Sequence, residues 1–119
     1  MDNVTHGHLA EQQACEFLCQ KGMQFIQKNY RPAKGKGEID LIMRDQDCIV
    51  FVEVKKRSCS QHGASIEMLS QYKQSMLRKT ALAYLQEKNL LDNTPCRFDV
   101  IGIDDEKISW ISNAIETNY

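Results

Sequence analysis

Asp40, Glu53 and Lys55 stand where side chains of their kind are rarely placed. Asp40 falls inside an alternating run, Glu38 to Arg44, and Glu53 inside the most apolar run of the chain, Cys48 to Lys56. Asp is depleted in strands, and Glu somewhat less, because neither suits a half-buried pleated surface. Strand alternation puts Phe51, Glu53 and Lys55 on one face and Val50, Val52 and Val54 on the other. If the two runs pair as a hairpin, Asp40 and Glu53 can lie near each other across the ladder. Two carboxylates brought close repel unless a proton or a cation sits between them. A hard divalent ion such as Mg²⁺ fits, since it takes one or two carboxylates plus waters and phosphate oxygens. Lys55 could then polarise a water or hold a phosphate oxygen as a compact positive charge. The chemistry these three suggest is metal-assisted hydrolysis of a phosphodiester. The competing reading is a solvated sheet face on which Glu53 and Lys55 form a weak surface pair. Glu11 lies four residues before Cys15 and seven before Leu18, at the border of a helix's apolar stripe. Leaning inward it could meet the same metal; otherwise it serves the early helix dipole.

The elements that must position these residues follow from pattern. Thr5 suits the cap of a helix running to about Lys21, with Gly22 just past its end. Ala10, Ala14, Phe17 and Leu18 give its buried stripe. Met23 to Tyr30 reads as a strand, and Arg31 to Gly37 as a loop rich in Lys and Gly. In the next run Ile39, Leu41 and Met43 are expected on one face, and Glu38, Asp40 and Ile42 on the other. Asp45 to Asp47 makes a tight turn into the Cys48 to Lys56 strand, completing the hairpin. A polar loop, Cys59 to Ser65, leads to a helical region from about Ile66 to Lys88 with a break near Ser70. Its stripe includes Lys73, Leu77, Thr80 and Tyr84, with Met76 and Ala81 beside it. Arg97 to Ile103 is a further strand, and Lys107 to Ile111 a short last one. The order predicts an α/β fold: a mixed central sheet flanked by helices, in one domain over residues 1–119.

Composition narrows the classes. The chain is 42% hydrophobic and 26% charged, the usage of an ordinary globular domain. The longest strictly apolar run, Cys48 to Val52, is far short of the roughly 20 residues that span a bilayer. No secretory signal pattern opens the sequence, so a cytoplasmic protein without a membrane partner is expected. Cys15, Cys19, Cys48, Cys59 and Cys96 form no C-x-x-C pair, and His6, His8 and His62 are scattered. Reduced, mostly buried thiols are expected, not a zinc site. Fifteen basic residues balance sixteen acidic ones, which argues against a strongly basic binder. The balance conceals an asymmetry. Lys28, Arg31, Lys34 and Lys36 form a run without an acid between them, and Lys55, Lys56 and Arg57 end a strand. Lys73, Arg78 and Lys79 follow on a helix, whereas residues 91–119 hold six acids against Arg97 and Lys107. On one shared rim, the basic segments could track a nucleic-acid backbone.

The strings G-E-I-D-L-I (Gly37 to Ile42) and F-V-E-V-K-K-R (Phe51 to Arg57) resemble the YraN family, also called UPF0102, of small predicted bacterial endonucleases. The resemblance takes in Ala10 to Leu18, Asn29 to Arg31, the Lys73 to Leu85 helix and Arg97 to Val100. That family is similar to archaeal Holliday-junction resolvases and carries the PD-(D/E)xK signature on a restriction-endonuclease-like αβββαβ core. The resemblance implies that Asp40 and Glu53 bind Mg²⁺ or Mn²⁺, with the Val54 carbonyl as a further ligand. It makes Lys55 the catalytic lysine and Glu11 the helix carboxylate that completes the site. The signature's Pro before the Asp is Ile39 here, and Lys56 occupies a position the family often gives to a small or polar residue. The implied substrate is DNA, duplex or branched, met by Arg31, Lys34, Lys36, Lys56, Arg57 and Lys73. A symmetric homodimer is a further implication. The alternative is a nucleic-acid-binding module that keeps the fold without turnover.

Overall fold

The alternating and β-branched runs come together as one mixed five-stranded sheet in the computed structural model, which describes residues 3–57, 69–104 and 107–115. Helix α1 (Asn3–Gln20) leads into strands β1 (Gln24–Tyr30), β2 (Ile39–Asp45) and β3 (Cys48–Arg57). Helix α2 (Gln71–Glu87) precedes β4 (Cys96–Asp104) and β5 (Lys107–Ile115). The strands lie side by side in chain order, all antiparallel except β3 and β4. A parallel pair needs a crossover connection, and α2 lies on it. This mixed α/β architecture is the expected one, consistent with a restriction-endonuclease-like core.

Each helix closes one face of the sheet. Ala10, Ala14 and Leu18 of α1 pack with Leu41, Met43, Val50, Val52, Ile101 and Ile103. Leu77, Ala81, Tyr84 and Leu85 of α2 pack on the other face with Ile42, Phe51, Phe98 and Val100. Tyr84 meets the rings of Tyr30 and Phe51 edge-on, at 5.2 and 5.9 Å between centroids, an arrangement aromatic quadrupoles favour. No helix among the described residues is long and apolar enough to cross a membrane.

Several expectations need correction. Helix α1 begins by Asn3, so Thr5 lies within it and is not its cap. Helix α2 starts at Gln71, where Ser70 caps it by accepting a 3.0 Å hydrogen bond from the Lys73 N–H. The Cys59 to Ser65 loop and the Ile66 start fall outside the described residues. Strand β5 continues to Ile115, past the expected stop at Ile111. Cys15, Cys48 and Cys96 are only half-buried and Cys19 is exposed, because they sit at a helix flank and at strand starts and not in the two cores.

Candidate metal centre

The acidic site forms where β2 departs from regular strand geometry. Period-two alternation predicts Ile39, Leu41 and Met43 on one face. Instead Ile39 packs with Ile42 on the α2 side, while Leu41 and Met43 pack on the α1 side. The β2–β3 ladder ends at Leu41↔Val52, and at its open end Asp40 Oδ2 accepts a 2.8 Å hydrogen bond from the Val54 N–H. A side chain has replaced a backbone partner. Across the β1–β2 ladder, Asn29 takes a left-handed φ of 50°, a conformation Asn tolerates better than most residues. The register is the same on either side, Lys28↔Leu41 and Tyr30↔Ile39, so the two distortions offset each other. Together they turn Asn29 and Asp40 towards α1.

Three carboxylates meet there: one oxygen each from Glu11, Glu38 and Asp40 lies within 4.8 Å of the others. Asn29 Nδ2 donates to both Glu11 oxygens at 3.0 Å and to Glu38 Oε2 at 2.8 Å, so one amide spans two of the acids. Arg31, largely exposed, pairs with Glu38 Oε1 at 3.1 Å. Glu38 is carried in by Gly37, whose φ of +115° favours glycine and where a Cβ would run into Thr80 Oγ1 of α2. The Asp40 carboxyl is pushed up to about 8, first by burial, then by the charges on Glu53, Glu11 and Glu38, against the opposing Val54 hydrogen bond. The donor set is all oxygen, partly buried and rich in negative charge, as hard divalent cations prefer.

Glu53 stands beside this cluster, not within it. Glu53 is close enough to raise the Asp40 pKa, yet its carboxylate forms an ion pair with Lys73 of α2 at 3.3 Å. In a strand a residue's N–H and C=O share an edge, so the Val54 carbonyl opens on the same side as its N–H, beyond the end of the β2 ladder. Lys55 is half-buried two residues further along β3 and has no ion pair among the described residues. Lys34, Lys36 and Lys56 are exposed, while the side chain of Arg57 lies outside the described residues. Arg31 and Lys73 are both engaged with acids of the site.

Sequence reasoning passed over two residues here, Glu38 and Asn29. Glu38 carried a signal: it stands two residues before Asp40, the spacing of a shared strand face. Asn29 carried only a weak one, an Asn near a strand end, where left-handed backbone is tolerated.

Fold and site together define an α/β protein with a mixed sheet and an acidic cluster at the point where its β2–β3 ladder opens. The chain belongs to the uncharacterised protein family UPF0102, whose sequence model matches residues 10–103. It is 48% identical over 114 residues to a UPF0102 protein of Coxiella burnetii (strain RSA 331 / Henzerling II), covering 95% of this chain and 93% of that one. A UPF0102 protein of Francisella tularensis is 40% identical over 114 residues, with 96% and 97% covered. One from Janthinobacterium is 44% identical over 110 residues, covering 92% and 86%.

Proposed function

We propose that this protein is a Mg²⁺- or Mn²⁺-dependent nuclease that hydrolyses DNA phosphodiesters. The observation that carries the reading is the convergence of Glu11, Glu38 and Asp40 to within 4.8 Å at the opening of the β2–β3 ladder. Asp40 is the central ligand, since it adjoins the other two acids, Glu53 and the Val54 edge. A bound divalent ion would polarise the phosphate and lower the pKa of a bound water, so that the water could lose a proton and attack as hydroxide. Asn29 bridges the Glu11 and Glu38 carboxylates and orients them. Lys55, further along the same strand, supplies positive charge for a phosphate oxygen or orients the attacking water. Exposed Lys34, Lys36 and Lys56 offer the charge that a phosphate backbone selects.

One observation favours a second reading, a nucleic-acid-binding module without turnover. Glu53, a ligand under the nuclease reading, is neutralised by Lys73 and stands outside the three-carboxylate cluster. Divalent titration and cleavage assays on linear, nicked, flapped and four-way DNA separate the two. The nuclease reading expects metal binding and cleavage, both lost in Asp40→Asn, with cleavage also lost in Lys55→Ala. Salt-sensitive DNA binding that survives these substitutions, with no strand cut in any substrate, would leave only the binding module.

A further inference from the structure

A groove of about 290 Å³ opens between α1 and β1 beside the acidic cluster, lined by Glu11, Gln12, Cys15, Phe25, Lys28 and Leu41. A departure from strand geometry builds it. Phe25 and Lys28 are three residues apart, so an uninterrupted strand would send them to opposite faces. The β1–β2 register shifts between Phe25 and Gln27, and this irregularity brings both side chains into the groove. Bulges of this kind commonly re-aim a side chain next to a site. Phe25 stays 49% exposed and has no aromatic partner among the described residues.

We propose, resting on the nuclease reading, that this groove takes an unstacked nucleotide of the strand to be cut. Flaps and other branch points, not intact duplex, are then the substrate class. The base lies on the free face of Phe25, a contact every base can make. The Gln12 side chain donates to Glu16 at 3.2 Å, which leaves its amide oxygen for a base edge. Lys28 beside the ring matches the charge of a flanking phosphate. Glu11 belongs to both groove and acidic cluster, so the adjoining phosphodiester reaches the carboxylates. The groove is at the small end of ligand sites, a size for one nucleotide and not for a base pair. Intact duplex would first have to unpair and flip a base, at a cost of roughly a few kcal/mol.

The test uses the whole chain in Ca²⁺, with fluorescence anisotropy on a flapped duplex and on a blunt duplex of equal length. The flapped probe carries 2-aminopurine at its first unpaired nucleotide. Tighter binding of the flapped probe is expected, with 2-aminopurine emission quenched in the complex. Phe25→Ala should cut the preference for the flap about tenfold and relieve the quenching, while Phe25→Trp keeps both. Equal affinity for the two probes, or a flap preference unchanged in Phe25→Ala, overturns the groove assignment. If Asp40-dependent cleavage is seen without a flap preference, the groove fails alone. Binding to neither DNA overturns the groove and the nuclease reading together.

Discussion

Asn29 shows how one side chain can organise a charged site without being charged itself. Its amide nitrogen holds Glu11 and Glu38 at hydrogen-bond distance, and its left-handed backbone turns it towards α1. Removing an outer partner of metal ligands typically costs ~10–100-fold in metal affinity. Asn29→Ala should therefore weaken the proposed Mn²⁺ binding by about that factor in a calorimetric titration. Asn29→Gly, which relieves the backbone but still lacks the amide, should weaken it as much. A glycine variant that binds like the parent would assign the role to the backbone instead. Asp40 makes a second prediction, for metal-free solution. Its carboxyl is raised from 3.8 to about 8, so the folded chain holds a proton that the unfolded chain releases. The stability this contributes is fully present below about pH 4 and is lost as pH rises through 8. Asp40→Asn cannot titrate, so its urea midpoint should fall less than the parent's between those limits.

Among the elements, the β4–β5 pair repeats the device seen at β2: a carboxylate stands in where the ladder is irregular. The register shifts between Phe98 and Val100, and Asn113 opposite takes a φ of 57°. Asp99, fully buried, accepts from the Asn113 N–H at 2.9 Å, from Trp110 Nε1 at 2.9 Å and from Arg97 Nε at 3.0 Å. Arg97 also reaches Asp45 at 3.2 Å, joining β4 to the end of β2. A buried charge is tolerable when paired and hydrogen-bonded, and removing one partner strands the other. Asp99→Ala should cost about 3–5 kcal/mol in urea unfolding. A loss below about 1 kcal/mol would mean that water replaces the carboxylate without penalty.

For the whole molecule, a formal charge of -1 hides a division between acids drawn to one centre and lysines left at the surface. Lys34, Lys36 and Lys56 are exposed, whereas Arg31 and Lys73 are held by Glu38 and Glu53. The proposed DNA binding should therefore weaken with salt, and Lys34→Ala with Lys36→Ala should flatten the log–log slope. Each phosphate contact removed is worth about 0.9 in that slope. Equilibrium binding over a salt series measures it, and an unchanged slope would place the backbone elsewhere. Lys73→Ala differs in kind, because it frees Glu53 and does not simply remove a surface charge.

Local pattern determined most of the architecture of this protein. The helical stripe of Ala10, Ala14 and Leu18, the Cys48 to Val52 run and the Leu77–Tyr84 face each carry their own periodicity, and burial follows periodicity. Asp40, Glu53 and Glu11 stood out in the sequence because a carboxylate on a strand or at a stripe's border contradicts its surroundings. What only the tertiary structure decided is which acids meet. Alternation placed Asp40 on the face of Ile42, but the paired distortions at Asn29 and Asp40 turned it towards α1, to Glu11 and Glu38. Glu53 stayed on the α2 side, where Lys73 reaches it. A left-handed residue costs only about 1–3 kcal/mol locally, too little to leave a clear mark in sequence. It nevertheless changes which face every neighbouring side chain presents, and contacts between distant segments determine whether it forms.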